Sequence, residues 1–289
     1  MNNQNTDADQ KQEPWGHGDH WKAIFLKWDE KHSTGFLSHV YQHMAPHRRL
    51  KSAQPMQNYS NLMGLCYKAG DCEVMLIIGL LPEQKLMHML SAYPAIAGEN
   101  TWKLKLTQLT HEYGPFEACA DFELPWEAPL KCFCPLFVEE KERWEAAAGS
   151  IEVNISALAI ELKRFDAEPI KVDAGPLLEL ERKRLRDEGS TAEADALDHL
   201  MVSTDGMRTL FCGNTDHASL VGKIVGLKKL EMTGMMLPGY QLEIEALPDY
   251  GQGWRNITTL AYLPALGAYS PKLDDLVQGV LWLQARLPQ

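Results

Sequence analysis

The 289-residue chain carries a formal charge of −11, and 45% of its side chains are hydrophobic, eight of them tryptophan. That length and apolar content fill a sizeable core, as one large domain or two ordinary ones, while the acidity disfavours loose, charge-driven binding to nucleic acid or anionic lipid. The longest nearly pure apolar run, Val74 to Leu81, is far short of the ~20 residues that span a bilayer, and no basic-flanked apolar leader opens the chain. With six cysteines in no framework spacing, the expectation is a cytoplasmic protein with reduced thiols and no membrane partner.

Residues 1–13 are almost wholly polar and read as a disordered tail, because they bury too little surface to offset ordering entropy. The first apolar stretch, "PWGHGDHW" followed by the strand candidate "WKAIFLKW", reads as a glycine-containing lead-in whose tryptophans anchor that tail. Leu62 to Leu81 holds two apolar runs around "KAGD", a hairpin in which Gly70 takes the positive φ of a tight turn. Its second arm, "EVMLIIGLL", is apolar on both faces and predicts a central strand. Period-two alternation then marks three further strands. "KLKLTQL" turns Leu104 and Leu106 inward; "FEACADFEL" turns Phe116, Ala118, Ala120, Phe122 and Leu124 inward with Glu117, Asp121 and Glu123 outward; "SIEVNIS" turns in Ile151, Val153 and Ile155. "EEKERWEAA" predicts a helix near residues 139–147.

A helical hairpin follows. Pro176 suits a first helical position and Gly189 a left-handed stop, and Ser190 with Glu193 has capping-box spacing ahead of a second segment carrying Leu197, Leu200 and Met201. Four more strand candidates end the chain, "SLVGKIVGLKKLEM", "YQLEIEAL", "NITTLAYL" and "DDLVQGVLWLQARL", with strand glycines Gly222, Gly226 and Gly279 that suggest bulges or sharp coiling. The fold class is therefore mainly β (α+β): a tail over 1–13, an antiparallel β-rich domain over 14–170, a helical connector over 171–205, and a small C-terminal β-barrel over 206–289. Residues 215–289 resemble the OB-type small barrel, though they hold no clear fifth strand. No repeat of solenoid or propeller period is apparent.

Chemistry-bearing residues cluster unevenly. Six of the ten histidines lie between His17 and His47. His39 and His43, four apart, would share a helical face and with His17, Asp19 or His20 complete a tetrahedral zinc site, whereas Pro46 leaves His47 uncertain. The same histidines also fit a solvated polar segment. Cys66, Cys72, Cys132 and Cys134 have the wrong spacing for a zinc knuckle and read as core thiols. Cys212, Asp216 and His217 are the residue types of a thiol nucleophile with its base, although their setting "CGNTDH" also reads as a turn. Phosphate-cradling loops, dinucleotide fingerprints, zincin pairs and nucleophile elbows are absent.

Exposed aromatic and thioether groups are the remaining signal. Tyr250 and Trp254 sit in a glycine-rich loop, and Met235 and Met236 in the turn before it, a composition suited to binding another surface. The expectation is a non-enzymatic adaptor with a protein partner, using Trp254, Tyr250, Met235 and Met236, with no cofactor. Two alternatives stand beside it: a metal-dependent enzyme built on His17, Asp19, His20, His39 and His43, with zinc as a candidate ion, and a selective single-stranded nucleic-acid binder using the OB-like barrel.

Overall fold

The computed structural model describes residues 18–25, 29–51, 61–81, 86–111, 117–124, 129–147, 149–212, 215–232, 237–249 and 253–288. A 3₁₀ helix over Gly18–Ala23 precedes α1 (Glu30–His43), then β1 (Arg48–Lys51), β2 (Asn61–Ala69), β3 (Cys72–Leu81) and β4 (Leu86–Ala95). Next come β5 (Thr101–Thr110), β6 (Ala118–Glu123), β7 (Pro129–Cys134), α2 (Phe137–Ala146) and β8 (Ser150–Arg164). An insertion carries β9 (Ile170–Val172), α3 (Pro176–Asp187), α4 (Thr191–Ala196) and β10 (Leu200–Val202). The chain finishes with β11 (Thr209–Cys212), β12 (His217–Leu230), β13 (Gly239–Asp249), β14 (Gly253–Tyr262), α5 (Leu263–Leu266) and β15 (Leu276–Arg286).

The first sheet is an antiparallel meander in the order β1-β2-β3-β4. Its β2–β3 hairpin turns at Gly70 (φ 61°) with Ala69 facing Cys72. β3 is the central strand expected of "EVMLIIGLL", with Val74 to Gly79 buried. The segment from Trp21 differs from the expected strand: it is 3₁₀-helical through Ala23 and buries Trp21, Ile24 and Phe25. Those positions are three and four apart, a helical spacing that seats all three on one side. Trp21 donates its Nε1–H to the Ala92 carbonyl at 2.8 Å, while Trp15 and the tail expected over 1–13 lie outside the described residues.

The other large sheet closes on itself twice. β5, β6 and β7 run antiparallel; β7 then pairs in parallel with β15, β15 antiparallel with β8, and β8 antiparallel with β5. Likewise β12, β13 and β14 run antiparallel, β14 pairs in parallel with β8, β8 with β15, and β15 with β12. Each ring is a five-stranded OB-type barrel, and β8 and β15 belong to both. The missing fifth strand of the C-terminal barrel is thus β8, from residues 150–164, and residues 206–289 do not close a barrel by themselves. The unit of three strands, helix and fourth strand occurs twice, as β5-β6-β7-α2-β8 and β12-β13-β14-α5-β15, so the fold contains a duplication that the sequence does not display.

Close approach of the shared strands accounts for a glycine. A Cβ on Gly279 would lie 2.0 Å from the Glu161 carbonyl oxygen across the β15–β8 seam. The barrel interiors are filled by Leu104, Ala120, Phe122, Ile155, Ala157, Leu220, Ile244, Ile257 and Leu283 among others. A second apolar cluster joins the first sheet to the outer faces of the barrels, packing Met75, Ile77 and Tyr93 with Cys119, Phe133, Leu158, Tyr262 and Trp282. This second layer explains Glu117, which alternation places outward: the first sheet covers that face, and Glu117 is fully buried.

The helical hairpin forms with one difference. α3 ends in a Schellman motif, Ser190 N–H bonding to the Leu185 carbonyl and Gly189 N–H to that of Arg186, with Gly189 at φ 86°. Ser190 makes no side-chain cap, α4 stops at Ala196, and Leu200 and Met201 pair instead as strand β10 with β9. A six-residue helix without a cap has few internal bonds, and the ribbon pairing supplies more.

Candidate functional site

The histidine-rich region separates into three places. His17 lies outside the described residues; Asp19 falls within the 3₁₀ helix. His20 is buried, stacked on Trp282 with ring centroids 3.8 Å apart, and its Nε2 sits 3.1 Å from Nε2 of His217. His39 and His43 do share a face of α1, with ring centroids 5.0 Å apart, and both are exposed. The described residues therefore do not gather His20 with His39 and His43: burying Trp21 carries His20 to the barrel seam, while burial of Phe36 and Val40 leaves the His39–His43 face of α1 in solvent.

Asp216 and His217 take structural partners rather than a nucleophile. Asp216 accepts from Trp282 Nε1 at 2.7 Å and lies 3.3 Å from Nδ1 of His217. Cys212 is buried, and burial pushes its thiol up to about 11. Cys72 is likewise raised to about 12 by burial, and Cys132 and Cys134 lie well above the usual thiol range for the same reason. Thiols held protonated in this way are poor nucleophiles.

The one group of three ligand-type side chains found together among the described residues is His47, Cys66 and Glu73, whose ligand atoms all lie within 4.8 Å of one another. Pro46 ends the helical run, so His47 enters the approach to β1 and donates its backbone N–H to the Cys66 carbonyl at 2.9 Å. Cys66 pairs with Met75, and Lys68 with Glu73, so Cys66 and Glu73 are diagonal neighbours on one sheet face. His47 Nε2 meets Glu73 Oε1 at 2.8 Å, and Arg286, at the end of β15, places Nη1 2.8 Å from Glu73 Oε2. Burial drives the Glu73 carboxyl upward, but Arg286 and His47 outweigh it and hold the group below its ordinary value. Burial, with Glu73 adding to it, pushes the Cys66 thiol up to about 12. The signal that could have found this cluster was Pro46 itself, which predicts that His47 leaves the helix.

Of the expected binding residues, Tyr250, Met235 and Met236 lie outside the described residues. Trp254 is 42% exposed near the start of β14, opposite Pro248 of β13. The Arg208 guanidinium, 5.6 Å from its ring centroid, stacks over it, and Arg208 Nη2 lies 3.8 Å from Glu245. Sequence reasoning missed Arg208, because its contact with Trp254 arises only where the insertion returns to β11. An open groove lined by Arg143, Ala147, Ser150, Glu152, Leu287 and Pro288 lies elsewhere, at the end of α2.

The geometry defines a mainly β protein of two OB-type barrels that share two strands, overlaid by an antiparallel four-stranded sheet. No family model matches the chain, and no curated relative does. Among solved structures it is similar to the cytoplasmic molybdate-binding protein ModG, in a form with molybdate bound, at 15% identity and a TM-score of 0.31 over 67% of this chain and 99% of that one. A likeness of that size carries nothing about ligand or activity. No described helix is long and apolar enough to cross a membrane.

Proposed function

We propose that this chain is a non-enzymatic adaptor that engages a protein partner through the Trp254 face of its C-terminal barrel. The observation that carries the reading is the Trp254–Arg208 pair: a half-exposed tryptophan on a paired strand, capped by an arginine that is itself nearly buried. Tryptophan and arginine dominate the energetics of protein interfaces, and a rigid anchor loses little rotamer freedom on binding. Met232, 68% exposed at the end of the β12 segment, adds apolar surface of an adaptable kind. Burial raises the Cys212 and Cys72 thiols, which weighs against either serving as a nucleophile. Nucleic acid is the weaker reading, because Lys223 and Lys228 on the barrel are engaged by Asp274 and Asp71.

The test is a photo-crosslinking side chain placed at position 254 of the full chain in cells, with an equivalent probe at exposed Lys103 on β5 as control. A discrete protein adduct specific to position 254 is expected. With that partner purified, Trp254→Ala weakens binding at least about thirtyfold, the ~2 kcal/mol typical of a hot spot. Identical adducts at both positions, or none at 254, would remove the reading.

A further inference from the structure

We propose that His47, Cys66 and Glu73 form a zinc site in which Arg286 holds the carboxylate from behind. The three groups offer an imidazole nitrogen, a thiolate sulfur and a carboxylate oxygen, the donor types zinc accepts, with all ligand atoms inside 4.8 Å. Ligand atoms around tetrahedral zinc stand about 3.4–3.6 Å apart given its usual bond lengths, so the cluster needs adjustments near one ångström rather than a backbone rearrangement. The His47–Glu73 contact at 2.8 Å opens slightly to admit the ion between Nε2 and Oε1.

The surroundings suit a ligated carboxylate. Arg286 approaches the other oxygen, Oε2, at 2.8 Å, leaving Oε1 for the metal, which is the orienting role outer partners play at metal sites. Arg286 is 8% exposed, yet its Nε and Nη2 are buried without hydrogen-bond partners among the described residues. A buried guanidinium with two idle donors is costly unless an accepting group such as a water enters beside it, so the site has polar groups left to satisfy. Access is provided by His47, which is exposed, while Cys66 lies at the floor.

Binding has a defined proton balance. The Cys66 S–H bond breaks, the sulfur electron pair forms the Zn–S bond, and that proton leaves to solvent; His47 gives the Nε2 lone pair, releasing to solvent any proton shared there with Glu73, and Glu73 binds through Oε1 as a carboxylate. Because a thiol must lose its proton to ligate the metal, affinity rises with pH and zinc binding releases protons.

The experiment uses the full chain stripped with a chelator and titrated with zinc alone against a chromogenic competitor, then with cobalt. One equivalent of zinc is expected to bind with release of at least one proton, and cobalt to give a thiolate-to-metal charge-transfer absorption. His47→Ala, at an exposed position that leaves the fold intact, is expected to weaken binding at least about a hundredfold, and Cys66→Ser to abolish the charge-transfer band. The double variant His39→Ala/His43→Ala, which removes the exposed pair on α1, leaves the affinity unchanged. Failure to bind zinc stoichiometrically, full affinity in His47→Ala, or loss of binding in the α1 double variant would each overturn the site. Should Cys66→Ser fail to fold, the His47→Ala affinity and the cobalt spectrum of the unmutated chain decide alone.

Discussion

Glu117 is the residue whose environment departs furthest from its sequence pattern. It is fully buried next to Ser91 and Tyr93, and burial raises its carboxyl to about 8, with a hydrogen bond from Ser91 opposing. A carboxyl with its folded-state pKa above the unfolded value of 4.5 binds a proton more tightly in the fold. Its contribution to stability is therefore full below about pH 4.5 and is lost as the pH rises toward 8. Over that window the loss is on the order of 3–5 kcal/mol, at ~1.4 kcal/mol per unit. Glu117→Gln, neutral at every pH, is expected to flatten the dependence, so that denaturant midpoints at pH 5 and pH 8 draw together. Parallel pH profiles for the two proteins would show that Glu117 is not the group responsible. Arg208 and Trp254 belong to the same scale: their contact sets the adaptor reading, and Arg208→Ala is expected to weaken the partner identified at position 254.

At the scale of elements, the seam between β8 and β15 is the least tolerant feature. Gly279→Ala pushes a methyl into the Glu161 carbonyl and is expected to destabilise by about 1–3 kcal/mol or more, since backbone rather than a flexible side chain must yield. Gly35, in α1, has nothing within 4 Å of an added Cβ, and Gly35→Ala is expected to stabilise by about 0.5–1 kcal/mol through helix propensity. Thermal melts of the two variants should move in opposite directions; a common direction would mean that the seam is looser than its geometry. The insertion between the barrels is held differently. Arg182 donates Nε and Nη2 to the Leu197 carbonyl at 3.1 and 2.8 Å, tying α3 to the chain beyond α4. The charged outer face of α3 rests on exposed pairs such as Arg184–Glu181, each worth little on its own.

At the scale of the molecule, strand exchange makes the two barrels one folding unit. Removing β15 opens both, because β15 closes the first barrel against β7 and the second against β12. Gln284 adds a polar latch: fully buried on β15, its side-chain oxygen accepts from Ile96 N–H at 2.8 Å and its amide donates to the Pro94 carbonyl at 2.9 Å, fastening the exit of β4 to the seam. The isolated segment 206–289 is therefore expected to remain unfolded by circular dichroism, while the full chain melts in a single transition by near- and far-ultraviolet signals alike. A cooperative melt of the segment alone would refute the obligatory exchange.

What the sequence determined by itself is local. Alternation in "FEACADFEL" and "SIEVNIS", the turn at Gly70, the central β3 and the stop at Gly189 follow from side-chain period and from backbone conformations that glycine adopts without strain, and all of these are read from neighbours in the chain. Tertiary structure decided the rest, because it depends on residues far apart. Burial of Glu117 needed a second sheet over β6. Closure of the C-terminal barrel needed a strand from some fifty residues before it. The gathering of His47 with Cys66 and Glu73, and not with His39 and His43, followed from the β2–β3 pairing, which sets Cys66 and Glu73 diagonally on one face, and from the chain's exit past Pro46 toward β1, which brings His47 beside them while α1 holds its own histidines in solvent. Sequence spacing reports which side chains share an element; only packing, which covers one face and leaves another to water, reports which elements meet.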